Sequence, residues 1–216
     1  GSSIDLSGAD VVGDVGESGL SLNIECGSYS YGSFYNAGTI LTNGGSGTEG
    51  GSGGSVYIDS ELVAYNTGAI DASGGEGSEG NGGGAGSVYL STDYGSLNNS
   101  GDINASGGNG TEDGGEAGNI DLYVGYTGDI LNAGSLNTSG GDGIIGGGSG
   151  SDIYFYVYGG HTVTAGSLEA SGGDAAEGSG GSGGNLEFGA SYDEGWWTGY
   201  QTLGNLEVSG NINLEG

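Results

Sequence analysis

Almost every side chain here that could do chemistry is a carboxylate. Glycine-rich segments carry them in groups: Asp10, Asp14 and Glu17, then Glu76 and Glu79, then Glu112, Asp113 and Glu116, then Asp142, then Asp174 and Glu177. Carboxylates and backbone carbonyls are the hard oxygen ligands that Ca2+ takes outside cells. These acids are therefore candidate metal ligands along an edge where successive segments could share ions. Neither the Asp-x-Asp-x-Asp-Gly loop nor the regular Gly-Gly-x-Gly-x-Asp nonapeptide is present. Three readings of the segments stay open: a calcium-binding edge, solvated loops that spread charge, or glycine tracts packed backbone on backbone.

The charge balance narrows the function classes. The chain has no Lys or Arg and 28 acids, a formal charge of −28. Phosphate contacts need basic residues, so no nucleic-acid partner is expected. Anionic lipid is disfavoured for the same reason, and no apolar run is long enough for membrane insertion. A body this acidic repels itself, and bound cations, salt, low pH or dilution along a rod would relieve it. No signal-peptide pattern opens the chain, which fits a mature or trimmed product. Four Asn-x-Ser/Thr sequons, at Asn98, Asn104, Asn109 and Asn137, agree with an extracellular address.

Other reactive types are scarce. Cys26 is the one cysteine and reads as a small buried hydrophobe. His161 sits in a Gly-Gly turn without a second His, and no Ser-His-Asp, Cys-His or zinc pattern appears. The expectation is that the protein is not an enzyme. Aromatic residues offer more: Tyr57, Tyr89 and Tyr154 recur at one outward position, and Trp196-Trp197 lies in a long interval. Rows of exposed rings suit contact with another copy or with glycans.

These groups are positioned by a repeat. Ile40, Ile70, Ile103, Leu136 and Leu168 are spaced by 30, 33, 33 and 32 residues, each within Gly-x-Ile/Leu-x-Ala/Thr-Ser-Gly-Gly or a close variant. Weaker copies are read at Ile4-Asp5-Leu6-Ser7-Gly8 and at Leu206-Glu207-Val208-Ser209-Gly210. One period holds three short alternating runs, for example Ile70-Asp71-Ala72, Val88-Tyr89-Leu90 and Leu97-Asn98. The third run recurs around Leu62, Ile130 and Val163. A single unit cannot bury its apolar stripe, but a stack can. The expected fold is all-β: a parallel β-solenoid (β-helix) of about six to seven coils, roughly 33 residues per coil, with the Gly-rich loops stacked on one edge. A β-sandwich also suits short strands with glycine turns.

The period favours a single domain over 1–216. Its terminal coil reads as atypical, with an insertion at about 189–204, a missing loop and a tight turn joining Val208-Ser209-Gly210 to Asn211–Leu214. Asn36, Asn66, Asn99 and Asn132 recur before each first strand and predict a structural amide ladder, from which Thr164 departs. Ser73, Ser106, Ser139, Ser171 and Ser209 predict a second.

The motif Gly-x-Ile-x-Ala-Ser-Gly-Gly resembles glycine-rich parallel β-helix surface proteins of bacteria, of the adhesin and haemagglutinin-like type. The resemblance implies secretion, elongation and a role in attachment or a surface matrix. Two functions are carried forward. One is an extracellular structural protein whose copies assemble end to end into a filament, sheath or surface layer, with cations, calcium first, stabilising it. The other is a calcium-dependent adhesin stalk that binds glycans through the Tyr row or the Trp pair.

Overall fold

Runs in which every second residue is apolar become strands, and clusters of Gly, Asn and Asp between them become corners. A computed structural model describes residues 2–27, 31–191 and 205–216. The described residues form nineteen strands and no helix. β1 (Ser3–Asp5), β2 (Leu22–Cys26) and β3 (Phe34–Asn36) make the first coil. β4 (Thr39–Leu41), β5 (Val56–Ser60) and β6 (Ala64–Asn66) make the second, and β7 (Ile70–Asp71), β8 (Val88–Tyr94) and β9 (Leu97–Asn99) the third. The fourth holds β10 (Ile103–Asn104), β11 (Ile120–Thr127) and β12 (Ile130–Asn132), and the fifth β13 (Leu136–Asn137), β14 (Ile153–Tyr158) and β15 (Thr162–Thr164). β16 (Leu168–Glu169), β17 (Leu186–Ser191) and β18 (Leu206–Val208) make the sixth, and β19 (Ile212–Asn213) opens a seventh.

Each strand pairs in parallel with its counterparts one coil away, giving one sheet of seven strands and two of six. This is the expected parallel β-solenoid. The register sets like on like: Ile40, Ile70, Ile103, Leu136, Leu168 and Ile212 form one inner column. Ile58, Leu90, Leu122 and Phe155 form another. These inner residues of coils two to five are at most 1 % exposed. Burying each such side chain contributes about 1.5–3 kcal/mol. Adjacent coils supply the partner atoms, which is why the fold needs a stack.

Three details of the sequence reading are corrected. Leu206–Val208 is not a first-strand copy, because Leu206 lies opposite Thr162 in the third sheet. Ile212, opposite Leu168, is the true copy. No loop is missing there: Ser209 donates to Thr164 O at 2.9 Å, as Ala165 donates to Asn132 O at 2.8 Å, so Ser209-Gly210 is an ordinary corner between sheets. That also takes Ser209 out of the serine row, which belongs to the first sheet. Leu62 precedes β6 rather than lying within it. The long interval falls between β17 and β18. Strand β17 extends to Ser191, and the rest of the segment, including Trp196 and Trp197, lies outside the described residues.

Candidate functional site

The segments between the first and second strands pack as a glycine layer. Each runs outward and returns, and one series of backbone bonds stitches the arms and the coils together. Gly51 donates to Gly45 O at 2.8 Å, Gly75 to Gly51 O at 2.8 Å and Gly83 to Gly75 O at 2.9 Å. The series continues through Gly108, Gly115, Gly141, Gly148 and Gly173 to Gly181. A Cβ on Gly108 would collide with the carbonyl oxygen of Gly75. Of the three readings, backbone-on-backbone packing is the one the geometry shows for the arms.

The eleven candidate acids line the outside of this layer, and all are exposed. They lie in rows along the stack. Asp10, Glu76, Asp142 and Asp174 share a column with Ser46 and Asn109, because the residue after each donates to the carbonyl of the next. Within it, carboxylate oxygens accept backbone N–H groups one coil away: Asp10 from Ser46 and Asp142 from Asp174, both at 2.8 Å. Asn109 makes the same bond to Asp142 at 2.8 Å, so a neutral amide serves equally. Glu79, Glu112 and Glu177 sit at the outer turn, tied through their backbones to adjacent coils. The Asp113 backbone N–H donates to Asn81 Oδ1 at 3.1 Å, and the Asp14 carboxylate accepts from the N–H of its neighbour Val15 at 2.8 Å. Glu17 and Glu116 lie on the return arm, where their carbonyls accept from Gly45 and Ala85. Among the described residues, no three His, Cys, Asp or Glu side chains converge as a metal cage requires.

The tyrosines form a ladder. Tyr57 stacks on Tyr89 with centroids 4.9 Å apart and an interplanar angle of 4°. Asp121 and Glu187 interrupt that column. The stack bypasses Asp121 by stepping to the neighbouring column: Tyr89 to Tyr123 at 6.5 Å, Tyr123 to Tyr156 at 4.8 Å, then back to Tyr154 at 6.1 Å. Within this run each pair of rings meets face to face, with interplanar angles of 4° to 25°. Burial, opposed by a hydrogen bond from Ser91, pushes the Tyr89 phenol up to about 12.

The asparagine ladder is built as the spacing predicts. Asn36 Nδ2 donates to Asn66 Oδ1, Asn66 to Asn99, and Asn99 to Asn132, each at 2.7 Å. Thr164 closes it, accepting from Asn132 Nδ2 at 3.1 Å. The amides also fix the corners, as when Asn99 Nδ2 donates to Gly101 O at 2.9 Å. One feature escaped the sequence reading. Glu25, Asp59, Glu61 and Asp93 line a cleft of about 510 Å3 with Tyr94 and Tyr126, whose rings stack at 4.8 Å. Burial first, then Asp59 and Glu61, raises the Asp93 carboxyl above its ordinary range. The signal was available: Asp59 stands two residues after Tyr57, at the next outward position of the strand.

Continuous ladders of backbone, amide and ring define this chain as a parallel β-solenoid whose distinctive side chains bond to their own equivalents in adjacent coils. Comparison with known protein families, curated proteins and solved structures finds no match.

Proposed function

We propose that this chain is an extracellular structural protein, a subunit that stacks coil on coil into a filament, sheath or surface layer. The observation that carries this reading is the parallel register of all three sheets, which sets inner apolar residues on inner apolar residues and Asn on Asn from coil to coil. A coil face built from repeating columns accepts another coil whichever copy supplies it. Ile4 and Ile212, in the same column as buried Ile40, are 41 % and 47 % exposed, and a further coil would cover them. Such contact is head-to-tail and does not close, so it propagates.

Cations, calcium first among them, offset the repulsion between acid rows. With the acids spread along the edge, the ions act as an atmosphere and as pairwise bridges between coils. The resemblance to bacterial β-helix surface proteins supports an address outside the cell. A chain without Lys or Arg also offers trypsin no cleavage site, which suits that address. The ring-on-ring packing of the tyrosines favours a structural role over glycan stacking, since within each stack the rings turn a face to one another.

The test is one substitution on an open edge. Leu22 N–H bonds inward to Ser55 O at 2.8 Å, so in a parallel strand the N–H of its neighbour Asn23 faces away from the stack. Asn23→Pro removes that donor and leaves the internal ladder intact. In sedimentation, the parent chain should form large species as concentration rises, and Asn23→Pro should stay monomeric. A parent that is monomeric throughout, or a proline variant that polymerises equally, rules the proposal out.

A further inference from the structure

In a molecule of charge −28, the described residues on the outer face of the third sheet include no carboxylate over five coils. Its outward column reads Tyr35, Tyr65, Asn98, Leu131 and Val163, set by the register of β3, β6, β9, β12 and β15. The adjacent column, from Ala37 to Ala165, is Ala, Thr or Ser throughout. Asp102 and Asp129 mark the two corners, where each accepts a backbone N–H: from Ser135 at 3.0 Å and from His161 at 2.8 Å. The next acid in the outward column is Glu207, in the sixth coil.

This face has relief as well as neutrality. At one end Tyr35 and Tyr65 stack at 5.2 Å and stand 69 % and 37 % exposed. At the other, Leu131, Val163, Ala133 and Ala165 bound a shallow, mostly apolar recess of about 230 Å3. Asn98 lies midway. A two-fold axis through Asn98 maps the first coil onto the fifth and the second onto the fourth. It lays each tyrosine pair of one copy over the recess of the other, which is the self-complementarity an isologous contact requires.

We infer that two copies associate side by side, antiparallel, through this face. It is where two such acidic bodies can meet without bringing carboxylate rows together. The inference concerns a lateral surface and stands apart from coil-on-coil growth. Five coils at about 4.8 Å and three or four residues of width give a face of about 300 Å2 per copy, below the roughly 800 Å2 of a standard interface. A single pair is therefore weak, and is read by trapping rather than by isolation.

The test uses the full, unglycosylated chain with Cys26→Ser, in salt high enough to screen its charge, and a short bis-maleimide. Asn98→Cys should give covalent dimer at least tenfold faster than Ser167→Cys, an exposed position off the face, after normalising to labelling by a mono-maleimide. Adding Leu131→Asp should remove the excess. Ala37→Cys and Ala165→Cys should crosslink when mixed and not separately. Equal rates at Asn98→Cys and Ser167→Cys overturn the inference, as does an excess that survives Leu131→Asp. Self-crosslinking of Ala37→Cys overturns the two-fold arrangement.

Discussion

Asn99 is 1 % exposed, and its amide both donates and accepts along the ladder. Asn99→Ala leaves Asn66 Nδ2 and Asn132 Oδ1 without partners in the interior. Each unsatisfied group costs about 1–3 kcal/mol, so a loss of about 2–6 kcal/mol is expected in urea unfolding. The titrating groups give a second prediction. Asp93 and Asp121 are raised above 3.8, both chiefly by burial, with Asp59 and Glu61 adding at the first and Asp152 at the second. The folded state thus holds those protons more tightly than the unfolded one, and stability rises as pH falls through the raised values toward 3.8. Exposed Asp5 runs the other way, held down by the Ser7 hydroxyl and N–H. The Tyr89 shift from 10.0 to about 12 favours the folded state fully below pH 10, and that contribution is lost as pH climbs to about 12. Urea midpoints should therefore rise on mild acidification and fall steeply above about pH 10. A midpoint that drops on mild acidification contradicts the assignment.

At the scale of elements, the glycine layer separates two substitutions that look alike in sequence. An added methyl at Gly108 meets the Gly75 carbonyl, whereas at Gly84 the nearest atom is Glu116 O at 3.7 Å. Gly108→Ala should cost about 3 kcal/mol by overpacking. Gly84→Ala should be neutral or gain about 0.4–1 kcal/mol by restricting the unfolded chain. Calorimetry on the pair decides whether the layer is packed or merely crowded with glycine. The sequence made the strand period and the asparagine ladder legible, because Ile70, Ile103 and Asn99 keep fixed phase. It did not make the frame of the sixth coil legible. Leu206-Glu207-Val208-Ser209-Gly210 and Ile70-Asp71-Ala72-Ser73-Gly74 share a local pattern, and only pairing with β15 or with β16 tells the two sheets apart. Composition misleads again in Thr162-Val163-Thr164, where the threonines are buried. Thr164 must complete the amide ladder, and a slip of one residue would turn every side chain over. The acidic rows were visible, but their use as backbone acceptors depends on which residues stack.

For the whole molecule, repulsion and stacking compete along one axis. The acids of the glycine layer are exposed, and no acid is opposed by Lys or Arg, so screening should matter more than any single contact. Polymer yield is predicted to rise with salt, and to rise further with a divalent than with a monovalent cation at equal ionic strength. The central claim is that coils of separate copies continue one another's sheets. Electron micrographs of the purified chain, with calcium and with a chelator, test it most directly. The expected result is uniform filaments growing by about 29 Å per copy, six coils at about 4.8 Å each, with a β-strand spacing along the axis. Chelation should shorten or disperse them. Discrete rods one molecule long under both conditions would contradict the claim.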